Sequence, residues 1–193
     1  MANPNAAFGL RPSRSLGRSN CQVNEYAHDS GDATALFIGD PVTTTGTSTT
    51  GQLSSFSLVD GTPVVTASGT ITTTAIRGAI TGVKPNYANL TLQYCPASVE
   101  LGILVCDDPL QLFDIISDGT VVVGDVSGNI AITSGSGSTV TGISGYVAHE
   151  ASLGSTNVLR IVRVAPQVNN LLGANAVLEV KINQHELLST SGT

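Results

Sequence analysis

The stretch Val99–Ile116, VELGILVCDDPLQLFDII, decides the fold class of this 193-residue chain. Val99 to Cys106 and Gln111 to Ile116 are short runs of Val, Ile, Leu and Phe, side chains that pack well on a pleated surface. Between them, Asp107-Asp108-Pro109 is turn chemistry. Runs this short suit strands rather than helices, so the stretch predicts two strands paired through a tight turn. Leu90 to Tyr94 leads into them with period-two alternation.

The same punctuation recurs on both sides. Upstream lie Ala33 to Ile38, closed by Gly39-Asp40-Pro41, then Val42 to Thr45 and the Thr/Ser/Gly segment Thr43 to Gly51, a hairpin or surface loop. Phe56 to Val59 and Val64 to Ala67 flank the turn Asp60-Gly61-Thr62-Pro63, and Thr70 to Ala75 and Ala79 to Val83 follow as further short strands. Downstream, Asp118-Gly119 separates Thr120 to Val123, and Gly145 to His149, Asn157 to Val164 and Ala176 to Ile182 complete the set. In the last run Leu178, Val180 and Ile182 face one way and Glu179 and Lys181 the other, the mark of a half-buried strand. Gln167 to Leu172, followed by Gly173, is the only helical candidate. The class read from this is all-β: a β-sandwich or β-barrel, jelly-roll-like, in a body spanning 21–193, with Ser134 to Ser138 (SGSGS) as the one point of possible subdivision.

Residues 1–20 are expected to form an extended N-terminal arm, because Pro4, Gly9, Pro12 and Gly17 break any helix. The first eighteen carry Arg11, Arg14 and Arg18 and no acid, so the other five Lys/Arg face all fourteen Asp/Glu: −9 in the body beside +3 in the arm. That asymmetry marks a segment made to engage something else. With only 11% charged residues, the body's polar surface is mostly Thr and Ser hydroxyl, which suits a protein packed against others. A net charge of −6 argues against a nucleic-acid partner, and the planar arginine forks suit carboxylates on a protein.

No run of eighteen apolar residues occurs, so no membrane partner is expected, and Asn3, Pro4, Asn5, Arg11 and Pro12 interrupt any secretory leader, which points to assembly in the cytoplasm. Cys21, Cys95 and Cys106 are odd in number and lack CxxC spacing, so buried thiols are expected rather than a disulfide or zinc site. The nucleophile-elbow, phosphate-loop, zincin and dinucleotide motifs are absent. His28, His149 and His185 lie far apart, and the His149-Glu150 and His185-Glu186 neighbours would point to opposite faces of a strand. His28 to Asp32 and Gly124 to Asn129 are oxygen-rich, as calcium loops are, but match ordinary turns better. The chain is therefore expected to be no enzyme, with no metal and no cofactor. A sugar-binding face would want clustered aromatics, and four Phe, four Tyr and no Trp do not supply one.

Several segments together resemble a family of tailed-phage virion proteins, the head decoration or cement proteins encoded near the major capsid gene. They are the opening MANPNAAFGLRP, Gly39-Asp40-Pro41-Val42, Asp60-Gly61-Thr62-Pro63-Val64, Arg77 to Val83, and Tyr94 to Ser98 through Val105 to Pro109. The resemblance spans Met1 to about Ile116. It implies a β-rich structural protein on the capsid exterior of the virion, stabilising the head by bridging subunits of the major capsid protein as a homotrimer or homodimer. In that role the arm would lie across capsid subunits, with Phe8 and Leu10 in apolar pockets and Arg11, Arg14 and Arg18 on shell carboxylates. The alternative is a head fibre or tail-associated protein that meets carbohydrate on the host surface.

Overall fold

A computed structural model describes residues 3–17, 20–50 and 60–188. It is all-β, as the sequence predicts, and is built from two sheet systems joined side by side. The first is a closed five-stranded barrel of β2 (Val23–His28), β3 (Pro41–Ser48), β4 (Pro63–Ala67), β5 (Gly78–Val83) and β6 (Leu101–Cys106), in the order β2-β4-β3-β5-β6. The second is a six-stranded sheet in the order β1-β7-β13-β11-β9-β10. Its strands are β1 (Arg11–Ser15), β7 (Gln111–Ile116), β9 (Asn129–Thr133), β10 (Val147–Leu153), β11 (Leu159–Val164) and β13 (Val177–Ile182). A two-stranded ribbon, β8 (Thr120–Val121) with β12 (Gly173–Ala174), extends beyond the β7–β13 pair.

The stretch that announces the class does not form the expected hairpin. β6 pairs with β2 and β5 in the barrel, whereas β7 pairs with β1 and β13 in the sheet. Asp107 to Leu110 is thus the crossing between the two systems rather than a strand-to-strand turn. Asp107 is held there: its buried carboxylate accepts from Asn24 Nδ2 and, at 2.5 Å, from the Tyr26 hydroxyl, with Arg77 Nε 3.9 Å away. Burial, then the bond to Asp107, pushes the Tyr26 hydroxyl up to about 12. The chain changes sheet here, so the seam falls at 107–110, whereas Ser134–Ser138 is a mostly exposed start of the connection between β9 and β10, neighbours in one sheet, with Gly135 against the Gly145 backbone.

Other expectations also shift. Leu90–Tyr94 is not a strand, because Asn86 and Asn89 accept backbone N–H groups two residues on and close successive turns. Ala33–Ile38 and Thr70–Ala75 contribute single bridges at Leu36, Ile38 and Ile71 rather than full strands. Gln167–Leu172 is a turn, not a helix. Phe56–Val59 lies outside the described residues. β2 and β9 are strands that the sequence reading passed over, both being broken by Asn, Glu or Gly neighbours that blur their alternation.

Cys21 and Cys106 form a disulfide across an 85-residue separation, which corrects the expectation of buried thiols; only Cys95 is free, and it is buried. Spacing could not show this, because β6 reaches Cys21 only through the barrel. Two cores result. One joins Tyr26, Leu36, Val42, Ile80, Ile103 and Val105 inside the barrel. The other packs Phe113, Ile115, Ile130, Leu159, Leu178 and Val180 of the sheet against Ile71, Ile76, Ala79 and Cys106 from the barrel side. Among the described residues no helix is long and apolar enough to cross a membrane.

Two buried titratable groups near the seam oppose each other. Burial pushes the Asp40 carboxyl up to about 6, against bonds from Ser144 and the Phe37 N–H, and burial pushes His185 down to about 4. Asp40 therefore adds stability that is complete below its unfolded value of 3.8 and is lost as pH rises through 6. His185 adds stability that is complete above 6.5 and is lost as pH falls through 4. Each is worth about 3 kcal/mol, so together they leave stability nearly level across this window. In Asp40→Asn the histidine acts unopposed, and urea denaturation should show a loss of about 3 kcal/mol between about pH 7 and about pH 4. Parallel profiles for variant and parent would refute the assignment.

Candidate partner-binding face

The N-terminal arm is extended, but it is part of the body. β1 pairs antiparallel with β7 as the edge strand of the sheet, with Arg11 opposite Asp114 and Ser15 opposite Gln111. Just before it, the arm crosses the Gly39-Asp40-Pro41 corner backbone to backbone: Leu10 N donates to Gly39 O at 2.8 Å, and Gly9 N donates to Tyr146 O. Gly9 and Gly39 both have positive φ, +68° and +98°, and a Cβ on either would strike the carbonyl of Gly39 or Phe8. Two of the segments that carry the family resemblance are therefore in contact.

This placement corrects the outward-reaching arm. Leu10 is fully buried in the chain's own core, so it is not presented to a partner in this conformation. Phe8 is half-buried beneath the Arg11 guanidinium, 4.7 Å from the ring centre. Arg11 pairs with Asp114 at 3.4 Å, and Arg14 grips Glu179 with Nε at 2.9 Å and Nη2 at 3.1 Å. Strand addition does occur, to this chain's own β7. Arg18 lies outside the described residues.

What the sequence reading missed is the company the arginines keep. Arg11–Pro12–Ser13–Arg14 and Arg160–Ile161–Val162–Arg163 share a three-residue spacing, which on a regular strand puts the two arginines on opposite faces. In both β1 and β11 the register shifts between the arginines, and the bulge turns both to one side. Two cross-strand rows follow from the pairing: Arg11, Asp114, Glu179 and Arg163 in one, and Arg14, Leu112, Lys181, Arg160 and Asn129 in the other. Their strand neighbours Phe113, Leu178, Val180, Leu159 and Ile161 face the core, so both rows lie on the outer face.

Those two rows hold Arg11, Arg14, Arg160, Arg163 and Lys181 against Asp114 and Glu179, five cations to two carboxylates, in a chain whose eight Lys/Arg are outnumbered by fourteen acids. Glu179 is the hub. Its buried carboxylate takes Arg14 on one side and Arg163, at 2.6 Å, on the other, and these bonds outweigh burial and hold its pKa below the usual range. Asp114 is shifted upward, by burial first and by Glu179 beside it, against its bond with Arg11. Arg160 and Lys181 sit directly opposite each other and form no ion pair with any described residue. Like charges so placed repel, and an anionic partner relieves them.

The chain also contains a constellation that resembles a nucleophile with its base. Cys95 Sγ lies 3.3 Å from His28 Nδ1, and His28 Nε2 lies 3.4 Å from Asp32 Oδ2. His28 Nδ1 is, however, 2.8 Å from the Val99 carbonyl, so it donates its proton there and offers no lone pair to the thiol. Cys95 is fully buried, and burial pushes its thiol up to about 12. The cluster is packing. His149 binds Asp118 at 2.6 Å on the surface, and His185 is buried, accepting from Leu187 N. Among the described residues no group of three His, Cys, Asp or Glu is placed to hold a metal ion. The two oxygen-rich loops are self-satisfied turns: Asp29 accepts from Gly31 N and Asp125 from Val122 N. No family model matches this chain, and no curated protein or solved structure is significantly similar to it.

Proposed function

We propose that this chain is a non-catalytic structural protein of a tailed-phage virion, a decoration or cement protein that binds the outside of the head and bridges subunits of the major capsid protein. The observation that carries the reading is the concentration of five of eight cations on one sheet face of an acidic chain. An arginine-rich face suits a carboxylate-bearing protein surface, because each fork can grip two oxygens and many weak contacts multiply over a symmetric shell. The segments that resemble the decoration family support it as well, and two of them meet at the crossing that seats β1. The docking element in this reading is the whole outer face rather than the arm alone.

The test is cosedimentation with DNA-filled heads of the encoding phage. Arg160→Gln with Lys181→Gln removes the two cations that form no ion pair with a described residue and places no new charge beside the Glu179 hub, and should weaken head binding about tenfold and flatten its salt dependence. No binding by the parent protein overturns the reading, and binding to host cells instead of heads points to the fibre role.

A further inference from the structure

A pocket of about 480 Å³, within the size range of ligand sites, opens where Asp40, at the corner that starts β3, meets residues 134–137 and Tyr146. Two of its lining residues are polar and almost closed to water: Asp40 is 2% exposed and Tyr146 5%. Thr34, Ser134 and Ser136 add hydroxyl-bearing residues to the lining, and Phe37, stacked on Tyr94 with 5.0 Å between ring centres, supplies an apolar wall. The Asp40 carboxyl is held in place by its own turn. Phe37 N donates to Oδ2 at 2.8 Å, Asp40 N returns a bond to Phe37 O at 3.0 Å, and Ser144 bonds the carboxyl as well.

What this buried acid lacks is a counter-ion. Asp40 takes part in none of the ion pairs among the described residues, and no Lys or Arg lines the pocket. Its hydrogen bonds do not make up for the lost hydration, so burial holds the carboxyl up at about 6. A cation brought into the pocket offsets that cost. An ammonium group fits best, because it carries three donors and no acceptor, and the carboxylate and hydroxyl oxygens around it accept. Phe37 and Ala67 can then cover a carbon stem, which a hydrated metal ion does not have. We propose that this pocket binds a primary alkylammonium group, its charge on Asp40 and its stem along Phe37, presented by a lysine side chain of a partner or by a free amine. The pocket shares no residue with the two cationic rows, so the proposal does not rest on head binding and either can fail without the other.

An NMR titration of the full chain with n-butylammonium chloride, at fixed ionic strength and about pH 7.5, tests the proposal. Expected is saturable binding with a dissociation constant on the order of 1 mM, read at the Phe37 and Tyr146 rings, and none by the neutral isostere n-butanol. Affinity should fall about tenfold or more in Asp40→Asn, and about tenfold at about pH 5, where the carboxyl is protonated and offers no charge. Ser136→Phe, at an exposed lining position, should block entry while the melting temperature stays that of the parent. Tighter binding of Nα-acetyl-lysine methylamide than of putrescine assigns the site to a partner's lysine, and the reverse order to a free amine; the proposal stands in both cases. No saturable shift up to about 50 mM ligand, n-butanol binding as well as the ammonium, or an affinity unchanged in Asp40→Asn would each overturn it.

Discussion

Cys21→Ser should lower the stability of the oxidised protein by about 4 to 5 kcal/mol, the loop-closure value for a bridge of this span, and its melting temperature by roughly 10 to 15 °C. The span is 85 residues and encloses the entire barrel, so reduction frees a long stretch of the unfolded chain. In the native fold the bridge fixes the chain between β1 and β2 to the end of β6, beside the crossing at Asp107. Thermal melting with and without dithiothreitol checks this. The parent should fall toward the variant when reduced, and the variant should not respond. Identical melting of the parent in both conditions would show that the bridge does not contribute.

Leu10→Ala should cost about 3 to 4 kcal/mol, because the side chain is wholly buried in the core that joins the sheet to the barrel and the arm cannot collapse into the space left. Gly9, with a neighbouring carbonyl where its Cβ would be, fixes the backbone that presents Leu10. The variant discriminates sharply between two placements of the arm. If Leu10 filled a pocket on a capsid subunit, Leu10→Ala would melt like the parent and bind heads more weakly. Packed as it is in its own core, it should melt lower, while its folded fraction still binds heads.

The alternation and turn chemistry of Val99–Ile116 were enough to show strands, and the punctuation around them enough to show an all-β chain, because period-two burial and Gly, Pro and Asp breaks are local properties. Partner choice was not legible. β6 and β7 look like a hairpin, yet each finds a partner from a distant segment, since Asp107 is drawn to Asn24, Tyr26 and Arg77 and carries the chain across the seam. The disulfide was hidden for the same reason. Arg11 and Arg14 stood out by sequence, but Arg160, Arg163 and Lys181 did not, because only two bulges and the register of β11 on β13 bring them to one face.

By itself, then, the sequence determined the β class, the extended character of the first residues and the charge imbalance between them and the rest, all of which follow from local steric preference and composition. Tertiary structure alone decided that the basic arm belongs to the body's own sheet and that its arginines join a larger cationic face. The physical reason is that strand pairing is long-range: a buried Leu10 and a buried Glu179 can each be satisfied only by residues far away in the chain.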